Sequence, residues 1–490
     1  DEVATIVGDI GADTCKFGYG GEDSPKHVFS STAGYLPADA AIKVRHVDGA
    51  RRDMAQPGEL LSTLEPKTGP QKPNPPRGTS GVARRVGNSQ SRRREPKRLV
   101  RGTLSCCRND GNLEPDSSPL VDGLLSDWDQ VEKLWEHAFQ ARLRAVASER
   151  PVLVAEASWS TAKERRGLME LMFEKFGVPA MFPAKNAMLS AFSAGRATAL
   201  VCDCGHGATS AVPVVDGFVL NRAVQRGIRG GDWLTKQCSA HLAARGIQVP
   251  PRYALQRRGA ASGGSPSNEA AAVAAANGKG KGKGKSGAAA AVYQDPFPGT
   301  TPSYANHMRM EIVRELKETC MSIPLDESGS SSDEEEERET KYTLPDGTEI
   351  QLTDELRHIP EMLMESSAMT PLHNQKENLA LDLPIPALMR RALEQSDADA
   401  RKEMVGNVVL TGGGSLFEGM PERITSELTN SLPSAFKVRK DSSTLVARRF
   451  SVWIGGSILC SLGTFQQLWL SKRQYEEQGP DMAESRRFQG

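Results

Sequence analysis

Hydrophobic residues form two similar short patterns, one near the start of the chain and one near its middle. "TIVGDIGADTCKFGYG" and "ALVCDCGHGATSAVPVV" each run from an apolar stretch through an aspartate and a glycine turn into a second apolar stretch. Short apolar runs bounded by glycine are typical of buried strands. The pattern predicts two β-hairpins whose turns carry Asp9-x-Gly11 and Asp203-x-Gly205-x-Gly207, related as an internal repeat.

Apolar residues at helical spacing follow the first hairpin after a long gap. We predict a helix that begins near Asp127 or Asp129. Its apolar face is formed by Val131, Leu134, Trp135, Ala138, Phe139 and Leu143. Residues 151–157 are predicted to form a buried strand, and "STAKERRGLMELMFEKFG" is predicted to form a helix capped by Ser160 or Thr161.

The region from residue 379 onward has a compact pattern again. It predicts a helix at 385–395, a strand in "NVVL", a glycine turn after it, and a buried helix near 451–470. The last segment, "SVWIGGSILCSLGTFQQLWL", is about as long as a membrane span. Its serines, threonine and adjacent glutamines favour burial inside the protein instead.

Three stretches show no apolar periodicity. Residues 38–118 are dominated by Arg, Pro, Gly and Ser, so we predict that most of this segment is disordered. Residues 257–290 contain "GKGKGKGK" and are predicted to be a flexible linker, with a nuclear-import or nucleic-acid patch as the alternative. Residues 326–339 are predicted to be an acidic solvated loop, with phosphorylation of its serines as the alternative.

Composition narrows the class of protein. The 490 residues include 61 Lys and Arg and 61 Asp and Glu, and this balance argues against a dedicated nucleic-acid coat. The length predicts two large lobes or about three domains. Eight scattered cysteines without paired C-x-x-C motifs predict reduced structural thiols. The acidic start, "DEVATIVGD", predicts a strand rather than a signal peptide.

The two hairpin turns have a chemical interpretation. Glycines let backbone N–H groups approach a phosphate, and an aspartate at a strand end can hold Mg²⁺, usually through water. Two such turns facing each other would clamp a phosphate chain, whereas a single Asp-x-Gly is usually an ordinary turn. A third turn, "NVVLTGGGSLFEG", permits a close approach to a ligand, with a tight strand-to-helix turn as the alternative.

Several segments resemble the actin family. The most specific is "RRFSVWIGGSILCSLGTFQQLWLSKRQYEEQGP", and others are "WDQVEKLWEHAF", "MFEKFGVPAMF", "IVRELKETC" and "YTLPDG". The resemblance covers 1–37, 119–250 and 301–490. "GEDSPKHVF", "VAEASWSTAKERRGLMELMFEKFGVPA" and "GIQVPPRYAL" are similar to the nuclear branch of the family.

The resemblance implies an α/β, actin/hexokinase-like fold with two lobes, four subdomains and a nucleotide cleft between the lobes. Subdomain 1 is expected at 1–34, 119–193 and 450–490, and subdomain 3 at 194–229 and 379–449. Subdomain 4 is expected at 230–378, including the 257–290 insertion and the 326–339 loop. The low-complexity segment 35–118 is expected in place of subdomain 2.

The resemblance also implies ATP and Mg²⁺ as cofactors. Asp9 and Asp203 are expected to hold Mg²⁺ through water. The residues expected to bind the nucleotide are Asp9, Gly11, Lys16, Asp203, Gly205, Gly207, Arg314, Lys317, Glu318, Gly412, Gly413, Leu416, Phe417 and Arg449.

Departures from the family pattern affect both binding and catalysis. Ala12 and Asp13 replace a small Ser-Gly pair in the first turn, and a carboxylate at position 13 could repel the terminal phosphate unless it turns outward. His206 replaces an aspartate. Asn186 and Ser210 stand where the family has the glutamine and histidine that position the attacking water. We therefore expect no catalytic residues and very weak or absent hydrolysis, with an imidazole from His206 as the alternative.

The resemblance implies a structural subunit of chromatin remodelling and histone acetyltransferase complexes in the nucleus. Implied partners are actin and a helicase–SANT-associated helix of a remodeller ATPase or acetyltransferase scaffold, with histones as a further candidate. Neither a membrane nor sequence-specific DNA is expected as a partner. The helix is expected to enter a groove formed by Ile454, Ile458, Leu459 and Leu462.

The implied fold is compatible with two other functions. A conventional cytoskeletal, polymerising ATPase is the alternative function. A small-molecule kinase on the same fold would need a catalytic carboxylate and a substrate pocket, for which the sequence gives no signal.

Overall fold

The computed structural model describes residues 4–32, 34–36, 98–100, 114–115, 118–252, 302–324, 341–344, 349–365 and 381–487. Most of the 38–118 segment and all of 257–290 and 326–339 lie outside these residues, so the predictions made for them stay predictions. The same holds for the subdomain boundaries.

Eighteen strands lie in the described residues. In chain order they are β1 (Ile6–Ile10), β2 (Thr14–Tyr19), β3 (His27–Ser30), β4 (Gly34–Leu36), β5 (Arg98–Val100), β6 (Glu114–Pro115), β7 (Leu120–Val121), β8 (Leu124–Leu125), β9 (Val152–Glu156), β10 (Ala180–Lys185), β11 (Ala199–Cys204), β12 (Thr209–Val215), β13 (Phe218–Val219), β14 (Gln225–Gly227), β15 (Lys341–Thr343), β16 (Glu349–Gln351), β17 (Val408–Thr411) and β18 (Leu470–Ser471).

Eleven α-helices lie in the same part of the chain. They are α1 (Trp128–His137), α2 (Ala162–Glu170), α3 (Asn186–Ser193), α4 (Gly231–Ala244), α5 (Pro302–Cys320), α6 (Asp354–Arg357), α7 (Ile385–Glu394), α8 (Ala398–Gly406), α9 (Met420–Ser431), α10 (Leu445–Cys460) and α11 (Lys472–Arg487). No helix among the described residues is both long and apolar enough to cross a bilayer.

Two mixed sheets organise the molecule into two lobes. The first lobe has the strand order β18-β10-β9-β1-β2-β3, and the second has β13-β12-β11-β17 with β14 beside β12. In the first sheet β1 is antiparallel to β2 and parallel to β9; in the second β11 is antiparallel to β12 and parallel to β17. The shared arrangement confirms the two predicted hairpins and their internal repeat, and the architecture is the expected two-lobed α/β fold.

The predicted caps and helix faces are confirmed in the first lobe. Asp127 accepts a hydrogen bond from the Gln130 backbone N–H at the start of α1, and Thr161 forms a capping box with Glu164 at the start of α2. The six residues of the predicted apolar face are all buried, although the last three lie in a π-helical extension at Ala138–Leu143. They pack against the first sheet.

Two elements differ from the sequence predictions. Within the segment 38–118, which is predicted to be mostly disordered, the short strands β5 and β6 pair antiparallel with β4, because such pairing satisfies backbone N–H and C=O groups. The predicted helix at 451–470 was misplaced. It begins at Leu445, capped by Thr444, and ends at Cys460, because Leu462 adopts an extended conformation before a 3₁₀ turn at Gly463–Leu468.

Helices α3 and α10 join the lobes. They cross so closely that a methyl group on Gly455 would lie 1.8 Å from the Leu189 carbonyl oxygen. Leu189 packs in the first lobe with Val7 and Trp453. Ala187 and its neighbours on α3 pack against the strands of the second sheet. The α3–α10 crossing therefore fixes the two hairpins relative to each other.

Candidate functional site

The turn between β1 and β2 is held in a fixed shape by the end of β3. The Gly11 backbone N–H donates to the Thr14 carbonyl oxygen at 3.1 Å. The Ser31 hydroxyl donates to the Gly11 carbonyl at 2.6 Å, and the Ser31 backbone N–H donates to the Asp13 carbonyl at 2.9 Å. These bonds orient residues 11–14 toward the second lobe.

The turn between β11 and β12 is supported by the start of α4. The Gly231 and Asp232 backbone N–H groups donate to the carbonyls of Gly205 and His206, at 3.0 and 2.8 Å. The two turns face each other, since a methyl group on Gly207 would lie 3.1 Å from the Ala12 β-carbon. The prediction that the two glycine turns approach each other across the cleft agrees with this geometry.

The third glycine turn packs directly on the second. Gly412 has φ +85°, and a methyl group there would lie 2.5 Å from the Cys204 carbonyl oxygen and 2.6 Å from Asp203 Oδ1. Only glycine fits at this position. At Gly413 the same methyl group would meet nothing within 4 Å. The third turn therefore approaches the carboxylate of the second hairpin by means of Gly412.

Three charged groups gather between the first two turns. Lys16 Nζ lies 2.9 Å from Asp9 Oδ2. Burial, opposed by the charge of Lys16 and reinforced by that of Asp9, raises the pKa of Asp203 to about 6. Burial lowers the pKa of Lys16, but the attraction of Asp9 more than offsets it, so the net shift is upward. Two shielded carboxylates, of which Asp9 is paired with the ammonium group of Lys16, are suited to take up a cation.

Asn186 is tied into a chain of hydrogen bonds that crosses from the first lobe to the second. Its Oδ1 accepts from the Ser158 hydroxyl at 2.6 Å and from the Ala187 backbone N–H at 2.8 Å. Its Nδ2 donates to Asp203 Oδ2 at 3.3 Å. The amide therefore orients the carboxylate of Asp203 with one end and is anchored at the other.

Ser210 and His206 lie on the second hairpin. Ser210 is buried and pairs in register with Asp203, so the two side chains project from the same face of the sheet. Burial lowers the pKa of His206, which keeps the imidazole neutral near pH 7. The imidazole lies beside the start of α4, since a methyl group on Gly231 would lie 3.6 Å from His206 Nδ1.

The Asp13 side chain contacts helix α5 of the second lobe. Its Oδ1 lies 2.5 Å from Arg314 Nη1. Arg314 also lies 3.5 Å from Glu311 and 3.7 Å from Glu318. The carboxylate at position 13, which is expected to repel the terminal phosphate unless it turns outward, is paired with Arg314 of the opposite lobe.

The residues of α5 that are expected to bind the nucleotide lie in two different environments. Glu318 is exposed and lines an open cavity of about 320 Å³ together with Arg314. Lys317 is buried and donates to the Gly231 carbonyl at 2.8 Å and to Thr235 Oγ1 at 3.0 Å. Burial lowers the pKa of Lys317. Lys317 thus braces α4 beneath the second turn.

The residues after the third turn are also divided. Leu416 is half-buried, while Phe417 packs into the core of the second lobe. Arg449 is exposed and stacks on Phe450. Its neighbour Arg448 instead donates to the Ser415 carbonyl at 2.7 Å and so holds the third turn.

The predicted partner groove is only partly open. Ile458 and Leu462 are 40% and 44% exposed. Ile454 is half-buried, and Leu459 is buried in a cluster with Trp453 and Trp469. Ile458 and Leu462 therefore offer the accessible apolar surface, whereas Leu459 belongs to the core.

Sequence reasoning missed several residues that shape the site. Ser158 orients Asn186, and Arg448 holds the third turn. Gly230 and Gly231 let the second turn rest on α4, because a methyl group on Gly230 would lie 2.6 Å from the His206 carbonyl oxygen. The consecutive glycines before an apolar helix were the one visible signal for this support.

The site fits a magnesium–nucleotide ligand. Gly207 and Gly412 stand at close approaches between the turns, and Lys16 supplies a positive charge beside Asp9. Within the described ranges, no group of three or more His, Cys, Asp or Glu side chains is placed to hold a metal by itself. A pair of aspartates is instead typical of Mg²⁺ that keeps water and phosphate ligands.

Comparison with known proteins agrees with this geometry. A family model described as Actin matches residues 1–488. "Actin-related protein 4" of Arabidopsis thaliana is 34% identical over 98% of this chain and 97% of its own. Proteins of the same name from Oryza sativa subsp. indica and Yarrowia lipolytica are 33% and 30% identical, over 98% and 100% of this chain and 97% of theirs. The chain therefore belongs to the actin family.

Proposed function

We propose that this protein is a nuclear actin-related protein that retains Mg²⁺–ATP as a structural ligand and hydrolyses it very slowly or not at all. It serves as a structural subunit of chromatin remodelling and histone acetyltransferase complexes, where it pairs with actin on a helicase–SANT-associated helix. The similarity to proteins named Actin-related protein 4 supports this assignment.

Binding is supported by the residues between the turns. The actin family binds nucleotide, typically with a divalent metal. Bound Mg²⁺–ATP would supply a divalent cation and negatively charged phosphates at this site. Asp9 and Asp203 would hold the metal through water, and Lys16 would neutralise phosphate. Backbone N–H groups of the turns would donate to the phosphate, apart from those of Gly11 and Gly205, which bond within their own hairpins. A ligand held in this way stabilises the folded protein by mass action.

Weak hydrolysis is supported by one observation above all, the engagement of Asn186. Its Oδ1 accepts two hydrogen bonds and its Nδ2 donates to Asp203, so its amide orients that carboxylate rather than a water. Asn186 is also about one C–C bond shorter than a glutamine. Ser210 supplies no imidazole. Because positioned proton-transfer groups are typically worth about 10²–10⁴-fold each, losing both would leave hydrolysis nearly silent.

The partner proposal rests on the exposed end of α10. Amphipathic helices enter apolar grooves by anchors at helical spacing. Ile458 near the end of α10 and Leu462 just after it are both exposed and offer an apolar surface for such anchors. Because both are substantially exposed, they can be changed without opening the core.

Affinity purification of the tagged protein from nuclei tests the proposed role. We expect actin and a remodeller ATPase or acetyltransferase scaffold to co-purify, and Ile458→Asp to reduce their recovery strongly, since an unpaired charge in the groove costs several kcal/mol. Val121→Asp, at another exposed apolar position, is the matched control and should leave recovery unchanged. Equal recovery with Ile458→Asp would place the partner elsewhere.

Sedimentation in Mg²⁺ and salt separates this role from that of a polymerising actin. We expect the purified protein to stay in the supernatant. Abundant pelleted filaments of regular pitch would favour the cytoskeletal alternative.

A further inference from the structure

The ion pair between Asp13 and Arg314 joins the two lobes at the outer edge of the cleft. We propose that this pair is a latch that slows the release of nucleotide from the site beneath it. The proposal rests on the nucleotide binding proposed above and adds a kinetic control that the phosphate-binding residues do not supply.

The position of the pair on the access route follows from exposure. The side chains of Asp13 and Arg314 are 29% and 28% exposed, whereas those of Asp9 and Lys16 are 14% and 16% exposed. The pair is therefore closer to solvent than the charges that would hold phosphate. A ligand leaving these deeper groups must pass between the lobes that the pair connects.

Both partners are anchored on rigid elements. The Asp13 backbone is held by the Ser31 N–H, and the turn around it is closed by the bond from Gly11 to Thr14. Arg314 lies on the 19-residue helix α5. Ile312, Val313 and Leu316 on the same helix are buried in the core of the second lobe. Opening the cleft therefore has to break the pair rather than carry both partners along.

Charge around Arg314 keeps the guanidinium in place. Glu311 and Glu318 lie on the same helix, at 3.5 and 3.7 Å. Burial lowers the pKa of Arg314, but Asp13, Glu311 and Glu318 more than offset that, so it stays charged. The pairing also offsets the negative charge of Asp13, which would otherwise oppose a phosphate chain held by the same turn.

The latch is tested by the rate at which the full chain releases a fluorescent ATP analogue, 1,N⁶-etheno-ATP. The bound analogue is displaced with excess ATP near pH 7.5. Burial lowers the pKa values of the nearby His206 and His307, so both are neutral under these conditions. A partly exposed ion pair typically contributes up to about 1 kcal/mol, so we expect Asp13→Asn to speed release by about fivefold. Arg314→Gln should speed it as well.

The double variant decides whether the two side chains act together. If they form a latch, Asp13→Asn has little further effect in the Arg314→Gln background, because coupled groups are not additive. Asp397→Asn is the matched control: it removes an ion pair with Arg222 that lies within the second lobe, and should leave release unchanged. Circular dichroism checks folding, with Asp13→Ser as a second variant if Asn destabilises the protein.

Three outcomes overturn the latch while leaving nucleotide binding intact. They are unchanged release, independent effects of the two substitutions, and slower release in Asp13→Asn, which would mean that the carboxylate mainly repels phosphate. Failure of the unaltered protein to retain the analogue overturns both the latch and the proposed function.

Discussion

Replacing Gly412 with alanine tests how the third turn contributes to the site. Gly412 has φ +85° and ψ 163°, a backbone region that is essentially restricted to glycine, so strain alone costs about 1–3 kcal/mol. The new methyl group would lie 2.5 Å from the Cys204 carbonyl oxygen. Since ordinary contacts lie near 3.5 Å, the turn would have to retreat by roughly 1 Å, and such overpacking costs about 1–3 kcal/mol more.

We expect Gly412→Ala to lower the thermal midpoint by several degrees and to weaken binding of a fluorescent ATP analogue by about tenfold or more, since each 1.4 kcal/mol changes affinity about tenfold. Both are measured on the purified chain, by thermal unfolding and by equilibrium titration. Gly406→Ala is the control, because a methyl group at this position, just before β17, meets nothing within 4 Å. Unchanged affinity and midpoint in Gly412→Ala, or equal damage in both variants, would refute the proposed contact.

Two further predictions concern the lobe junction and the buried carboxylate. Gly455→Ala should prevent recovery of folded protein, because its methyl group would lie 1.8 Å from the Leu189 carbonyl oxygen. Gly463→Ala is the control and should express normally, because its methyl group meets nothing within 4 Å. Recovery of soluble, folded Gly455→Ala would contradict the crossing geometry. Burial raises the pKa of Asp203 from 3.8 to about 6, so Mg²⁺–nucleotide affinity, measured by titration across pH, should fall as pH drops through about 6 and the carboxylate is protonated. In nucleotide-free protein the raised pKa of Asp203 affects the stability of the fold in the opposite direction. Its stabilising contribution is full below about pH 4 and is lost as pH rises through about 6. A Mg²⁺–nucleotide affinity that does not change with pH would show that Asp203 does not hold the cation.

Local features of the fold could be predicted because their signals lie close together in sequence. Apolar runs that end in aspartate and glycine located both hairpins, and the Thr161-x-x-Glu164 spacing located the start of α2. The hairpin turns and the phosphate-binding chemistry assigned to them follow from residues within a few positions of one another. Such features depend on local backbone geometry, which the sequence encodes directly.

Long-range features could not be predicted in the same way. Asp13 and Arg314 are 301 positions apart, and only the folded chain brings them together. Neighbouring helix positions point about 100° apart, so sequence alone could not tell that Arg448 rather than Arg449 holds the third turn. The same ambiguity placed Leu459 in the groove, although its packing against the first lobe makes it core.

The central claim is that this actin-family protein holds ATP without turning it over, because Asn186 is committed to Asp203 and Ser210 stands where an imidazole would be needed. Single-turnover measurement on the purified full chain, loaded with radiolabelled ATP and Mg²⁺, tests it most directly. We predict that the nucleotide recovered from the protein remains ATP and that phosphate release stays far slower than in filamentous actin. Phosphate release as fast as that of filamentous actin, or failure of the protein to retain any nucleotide, would contradict the claim.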